Sequence, residues 1–509
     1  MSRSEHSRTP LSPWCIVLAV ASVTAVAAAM RLWGIRFGLP QTFTRPDEET
    51  IASVTGRIMR GSANPGFFRY PTLFMYGMAL VDRVCLGPAT TISDASVYTA
   101  ARVISALSGT ATVPLLFLVA RRLFSASTAL IAAALMAVAF LHVRDSHFGV
   151  TDVSATFMVL LAFTAIVVGP FERRDWRTVI VAGLLCGLAA STKYNAGLIL
   201  VTLLVAVRSV PLSLLAAAAA GLGFVVGTPY ALLARKPFLA DLAAERGHLA
   251  AGHGIETSVG WLYHFVFSLR LGLGVYFLAA AVIGAIWLAI DDRPRARVVL
   301  AFPIAYYLAM GAGRVVFVRY MTPLIPFAAL LAGYTVDRCA GLLTRSRERP
   351  WPRTLTSAAL LAIVAADSVY RSMALDRLLS QPDSRAIAAE FVRSRYPQGS
   401  SVYQTGSGYG HVMLTPETSY PEWPLSFAPR LVFVQTSWLA AYSALPPSLR
   451  DDLTRRYRLI HYVDVEDRSS QVVPVFDQQD AFFVPLSGFE RFTRPGPAIE
   501  IYERIDDSR

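Results

Sequence analysis

TVIVAGLLCGLAASTKYNAGLILVTLLVAV, residues Thr178–Val207, is apolar except for Ser191-Thr192-Lys193-Tyr194-Asn195 at its centre. It is either one long membrane span or two short ones, and the choice sets the side on which every later loop emerges. Cytoplasmic loops of membrane proteins carry an excess of Lys and Arg. Two short spans put Arg121-Arg122, Arg173-Arg174-Arg177, Arg208, Arg293-Arg295-Arg297 and the Arg338 to Arg353 cluster all on the cytoplasmic side. One long span sends the Arg293 and Arg338 clusters outside. We therefore read two short helices, with Lys193 at the outer face.

Working outward, a bilayer interior offers no water to backbone groups, so uncharged runs approaching twenty residues are read as spanning helices. The runs are Thr9 to Met30, Val103 to Ala120, Leu123 to Val143, Val153 to Pro170, Ser209 to Ala234, Leu271 to Ile290, Val298 to Gly313, Tyr320 to Val336 and, more weakly, Thr354 to Ala366. With the two halves of 178–207 they give a polytopic α-helical membrane protein of about eleven spans. Arg3 and Arg8 precede the first run. A cleaved signal peptide competes with an uncleaved anchor there; the run has the length of a span, which favours the anchor and a cytoplasmic N-terminus.

Composition agrees. Of 509 residues 54% are hydrophobic and 16% charged, against a soluble class. The net charge of +12 lies mostly in Arg of short loops, a topogenic pattern, so no nucleic-acid partner is expected. Four cysteines, Cys15, Cys85, Cys186 and Cys339, form no CxxC pair, and neither a disulfide framework nor a zinc site follows.

This topology divides the chain into a transmembrane module, 1–370, with exported loops at about 31–98 and 235–270, and an exported tail, 371–509. The tail reads as a small extracytoplasmic α/β domain, with a helix over Ala386 to Arg395 and strands over Arg430 to Gln435, Leu459 to Val465 and Ala498 to Tyr502.

Three exported groups could carry chemistry. Arg45-Pro46-Asp47-Glu48-Glu49 fits a helix start, in which Thr44-x-x-Asp47 is a capping-box pattern and the acids complement the helix dipole. The same acids, ionised near a helix N-terminus, suit a base for a hydroxyl acceptor. Arg144-Asp145-Ser146-His147-Phe148-Gly149-Val150-Thr151-Asp152 stands where one span leaves the membrane and the next enters. Its acids either mark the water interface or line a site, and His147 by itself makes no metal centre. Lys193, Arg314 and Arg319 lie near headgroup depth, where each either snorkels or meets an anionic headgroup.

The order Pro46-Asp47-Glu48, Asn64-Pro65 to Tyr70-Pro71, His147 to Thr151-Asp152, Ser191 to Asn195 and Arg319-Tyr320-Met321-Thr322-Pro323-Leu324-Ile325-Pro326 resembles bacterial relatives of protein O-mannosyltransferases. The tail, ending Arg494-Pro495-Gly496-Pro497-Ala498-Ile499-Glu500-Ile501-Tyr502, shares the likeness. These belong to the GT-C superfamily, glycosyltransferase family 39-like. The resemblance implies transfer of a hexose or pentose from a polyprenyl-phosphate-linked donor to a glycan, lipid or protein acceptor, with Asp47 and Glu48 catalytic. It implies that Asp152, His147, Lys193, Tyr194, Arg314, Arg319 and Tyr70 bind substrate. A bacterial plasma membrane follows as location. No DxD motif stands in the first loop, and a divalent metal is left open. Two other classes compete: a secondary transporter or lipid-linked sugar flippase, suggested by the broken helix at Ser191 to Asn195, and a sensor that binds through its tail.

Overall fold

An α-helix satisfies its backbone internally, and the apolar runs fold accordingly. The computed structural model describes residues 12–85, 94–173, 175–252, 259–344, 353–414, 420–422 and 424–505. Arg3, Arg8, the start of the expected anchor, Arg174 and most of the 338–353 cluster lie outside these. The helices in chain order are α1 Pro13–Leu32, α2 Pro46–Met59, α3 Leu73–Cys85, α4 Asp94–Leu123, α5 Ala126–Val138, α6 Phe140–Asp145 and α7 Thr151–Ile166. They continue as α8 Trp176–Thr192, α9 Leu200–Val207, α10 Val210–Gly227, α11 Tyr230–Leu233, α12 Arg235–Ala251, α13 Gly260–Tyr263 and α14 Arg270–Leu273. Then follow α15 Val275–Asp291, α16 Arg293–Gly311, α17 Ile325–Leu343, α18 Arg353–Leu379, α19 Ser384–Arg395 and α20 Pro447–Arg456.

Among the described residues, five helical segments are long and apolar enough to cross a membrane: 13–32, 95–123, 151–171, 210–227 and 353–395. The pair 260–273 and 275–291, bent by 115°, brings the number to six if it is counted as one broken span, and 126–138, 176–192 and 194–207 are shorter apolar helices. The deciding stretch does break at its polar centre. Helix α8 ends at Thr192, Lys193 is extended with φ −153° and ψ 129°, and a 3-10 turn, Tyr194–Ile199, leads into α9.

Other runs differ in detail from the sequence reading. Leu123 to Val143 is divided at Ala139 into α5 and α6, and Leu271 to Ile290 bends at Gly274, whose φ of +87° favours glycine. Tyr320 to Val336 starts as a 3-10 helix, Val318–Leu324, before α17. Thr354 to Ala366 is the first half of α18, which continues to Leu379 and carries an Arg371–Asp367 pair, one turn apart, at 2.9 Å.

Helix α7 lies at the centre, packed on α4 and α8, while α17 packs on α5 and α15. Glycines bring α8 and α10 into close contact: a side chain at Gly187 would collide with the carbonyl of Ala220, and one at Gly223 with that of Leu184. The ends of this pair are tied to the first loop, since Ser191 Oγ lies 2.7 Å from Thr228 Oγ1 and Thr72 Oγ1 donates to the Gly227 carbonyl at 2.8 Å.

The tail carries a four-stranded sheet in the order β1-β2-β4-β3, with β1 Val402–Gln404, β2 Leu431–Thr436, β3 Tyr457–Val463 and β4 Ala498–Arg504. Strand β1 runs parallel to β2, and the other pairs are antiparallel. Alternating side chains divide between the faces: Leu431, Phe433, Ile499 and Ile501 pack with Ala388, Ala389 and Val392 of α19, whereas Val432 and Val434 meet Leu449 and Leu453 of α20. One tail segment leaves the sheet. Phe482, Val484, Leu486 and Phe489 join the main helical core, where Phe482 meets Phe148 edge-on with ring centres 4.6 Å apart.

Candidate active site

Pro46 opens α2 and puts Asp47, Glu48 and Glu49 in its first turn, where the positive helix end favours carboxylates. The expected capping box does not form. Arg45 is the residue that caps α2, without a side-chain bond, and the Thr44 hydroxyl instead donates to Glu48 Oε2 at 2.8 Å.

Successive side chains on a helix diverge, so Asp47 and Glu48 have different surroundings. Glu48 is fully buried. Arg102 of α4 grips it with two nitrogens, at 2.7 and 2.8 Å, and the amide of Gly149 donates to it at 2.8 Å. Burial opposes the charge, but Arg102, Gly149 and Thr44 outweigh it and hold the carboxyl below the usual range. Arg102 also donates to the carbonyls of Ile35 and Phe37, so this pair joins α2, α4, the first loop and the turn before α7.

Asp47 keeps 21% of its side chain exposed and receives Arg319 Nη2 at 2.6 Å. Arg319 stacks over Phe317, its charge centre 3.8 Å from the ring centroid, and its Nη1 lies 3.4 Å from Asp480. The same Asp480 oxygen takes Arg45 at 2.7 Å and lies 3.7 Å from Arg144. Asp145 accepts from Arg144 at 2.9 Å and from the Thr322 hydroxyl at 2.6 Å. Beside this chain, Lys193 donates to Asp152 at 2.5 Å and lies 5.2 Å from the Tyr320 ring centre. Tyr70 lies near Asp47, and burial and that carboxylate push its hydroxyl well above the ordinary tyrosine range.

The structure therefore brings together Asp47, Tyr70, Asp152, Lys193 and Arg319 of the expected set. It does not bring in four others. Glu48 is locked by Arg102. His147 sits between the carbonyls of Val143 and Trp33, with Asp376 at 3.4 Å, and burial pushes it down to about 4. The Tyr194 hydroxyl donates to the Phe68 carbonyl at 2.7 Å, and Arg314 is exposed beside Gly252. Arg45, Arg144, Asp145 and Asp480 join the site from outside the expected set. Asp480 had a signal: Phe476-Asp-Gln-Gln-Asp480-Ala-Phe-Phe483 sets acids between apolar anchors, a pattern that buries charge.

Electrostatically the site is balanced, since Arg45, Arg144, Lys193 and Arg319 face Asp47, Asp145, Asp152 and Asp480. Burial and the neighbouring Asp480 push Asp477 up; Asp480 is itself buried, but Arg45, Arg319 and Arg144 hold it down. Among the described residues no three His, Cys, Asp or Glu side chains converge as metal ligands.

The family described as dolichyl-phosphate-mannose-protein mannosyltransferase matches residues 73–220. No curated protein sequence matches the chain. Solved structures are similar over nearly its whole length. The Archaeoglobus fulgidus oligosaccharyltransferase in its apo form has a TM-score of 0.57 at 12% identity, over 98% of this chain and 90% of that one. ArnT from Cupriavidus metallidurans bound to undecaprenyl phosphate has 0.56 at 16%, over 96% and 98%. The arabinofuranosyltransferase AftD from Mycobacteria has 0.50 at 14%, over 98% of this chain and 40% of that one. At these identities the likeness is one of fold, and the chain shares the fold of these membrane-protein structures over nearly its whole length.

Proposed function

We propose that the chain is a glycosyltransferase that moves a hexose or pentose from a polyprenyl-phosphate carrier to a hydroxyl acceptor, on the extracytoplasmic side of a bacterial plasma membrane. The observation that carries this reading is the meeting of Asp47, a carboxylate with solvent access, and Arg319, with Lys193 and Asp152 beside them. One group suits an acceptor hydroxyl and the cations suit a phosphate. In this reading the shorter apolar helices, together with α16 and α17, complete about eleven crossings, the N-terminus is cytoplasmic, and residues 371–509 form an exported domain over the 1–370 module.

An acceptor oxygen loses its proton to Asp47 and attacks C1 of the sugar while the C1–O bond to phosphate breaks. The carrier departs as a phosphate monoester, whose second pKa near 6 makes it a good leaving group at neutral pH without a general acid. Lys193 and Arg319 stabilise the charge gathering on it, and attack from the face opposite the phosphate inverts C1. Arg319 and Lys193 pair with Asp47 and Asp152, so in this reading a bound phosphate competes with those carboxylates for the two cations. The carrier's tail has a path. An apolar groove of about 310 Å³, lined by Phe265, Leu269, Ile304, Leu324 and Phe327, reaches Leu324, about 10 Å along the 3-10 helix from Arg319.

Lys193→Ala tests the phosphate contact. We expect the KM for a polyprenyl-phosphate sugar to rise about 10-fold or more, with little change in the acceptor KM. Equal effects on both substrates would remove Lys193 from the donor site.

A further inference from the structure

Arg319 stands at the end of a segment that cannot hold itself in place. Residues 314–317 belong to no helix or strand, and Val316 and Val318 are buried. Their amides need acceptors, and the tail supplies them. Gln479 Oε1 takes the Val316 amide at 2.8 Å, and Asp477 Oδ2 takes that of Val318 at 3.1 Å. One residue further on, Asp480 meets Arg319 itself at 3.4 Å.

The turn that makes these contacts is well fixed. The Asp480 amide donates to the Asp477 carbonyl at 3.1 Å, and the Gln479 amide to Asp477 Oδ1 at 3.2 Å, an Asx turn within a β-turn. Phe476 and Phe483 pack with Leu439 on the tail side, and Phe482 packs between Phe37 and Phe148 of the helical core. The Gln479 carbonyl accepts from the Tyr442 hydroxyl at 3.1 Å. Asp480 also supplies charge. Arg45, Arg144 and Arg319 approach one another there, and Arg45 at 2.7 Å is its tightest partner.

We propose that the turn Asp477–Asp480 is a positioning element of the donor site: it shapes the backbone leading to Arg319, and Asp480 holds one guanidinium nitrogen so that the other faces Asp47 and an incoming phosphate. The tail thereby contributes to donor binding although it touches no substrate. This rests on the reading of Arg319 as a phosphate contact.

The test uses the full-length chain in detergent, with undecaprenyl phosphate and undecaprenol as probes and their affinity ratio as the readout. A merely structural defect weakens both lipids alike and leaves the ratio unchanged. Asp480→Asn is expected to lower the preference for the phosphate about 10-fold with undecaprenol binding unchanged, and Asp480→Glu to restore part of it. A wild-type ratio in Asp480→Asn, or parallel loss of both lipids, overturns the proposal. If Asp480→Asn does not fold, Gln479→Ala decides, with an expected fall of about threefold and an unchanged ratio as the contrary result. Arg319→Ala is measured alongside. If it too keeps the preference, the donor reading itself is at fault; if it alone loses it, only the positioning role falls.

Discussion

Asp47→Asn is expected to lower sugar transfer by about 100-fold or more, the span of a lost general base. An asparagine keeps the shape of the side chain but has no basic oxygen to take the acceptor proton. The accompanying change in donor affinity is diagnostic. Arg319 is engaged by Asp47 at 2.6 Å, so removing that charge frees the guanidinium for a phosphate. The donor KM should therefore stay level or fall while kcat collapses. Steady-state rates with labelled carrier-linked sugar separate the alternatives. Wild-type kcat would dismiss Asp47 as the base, and a raised donor KM with unchanged kcat would make it a donor-binding residue instead.

The neighbouring carboxylate should behave in the opposite way. Arg102→Ala leaves Glu48 fully buried and without its two guanidinium bonds, with only Gly149 and Thr44 donating. Breaking a buried pair of this kind costs about 3–5 kcal/mol. That is a large share of the roughly 5–15 kcal/mol that keeps a typical domain folded. We expect a much lower unfolding temperature and poor recovery of folded protein. Replacing both partners, Glu48→Leu with Arg102→Met, should return part of the loss, because no charge is then stranded. Thermal unfolding in detergent checks this. If Arg102→Ala were as stable as the wild type, the pair would not hold the first loop to α4.

These two predictions show where the sequence was readable. Apolar runs gave most helices, since hydrophobic length is a local property, and the polar centre at Ser191 to Asn195 marked the break at Lys193 correctly. Three tail strands were found within two residues of their ends, but β1 has only three residues and left no alternating pattern. Bends at Ala139 and Gly274 also escaped, because both lie inside runs whose hydropathy does not change. The site was legible one residue type at a time and not as a constellation. Asp47 and Glu48 look alike in sequence, and only the fold gives one a buried arginine and the other an exposed edge. Arg45 and Asp480 stand more than four hundred residues apart, and no local pattern joins them. His147 was drawn into the expected site by its neighbours in sequence, yet its ring turns toward Trp33 and Asp376.

The most direct measurement follows the carrier. The full-length chain, reconstituted in liposomes with a labelled polyprenyl-phosphate sugar, is given membranes from a deletion strain as the source of acceptor, and released polyprenyl phosphate is read by mass spectrometry. Carrier phosphate should appear one for one with glycosylated acceptor in the wild type and should be nearly absent with Asp47→Asn. If the donor instead crossed the bilayer intact, at the same rate in both proteins, the chain would move lipid-linked sugar without transferring it.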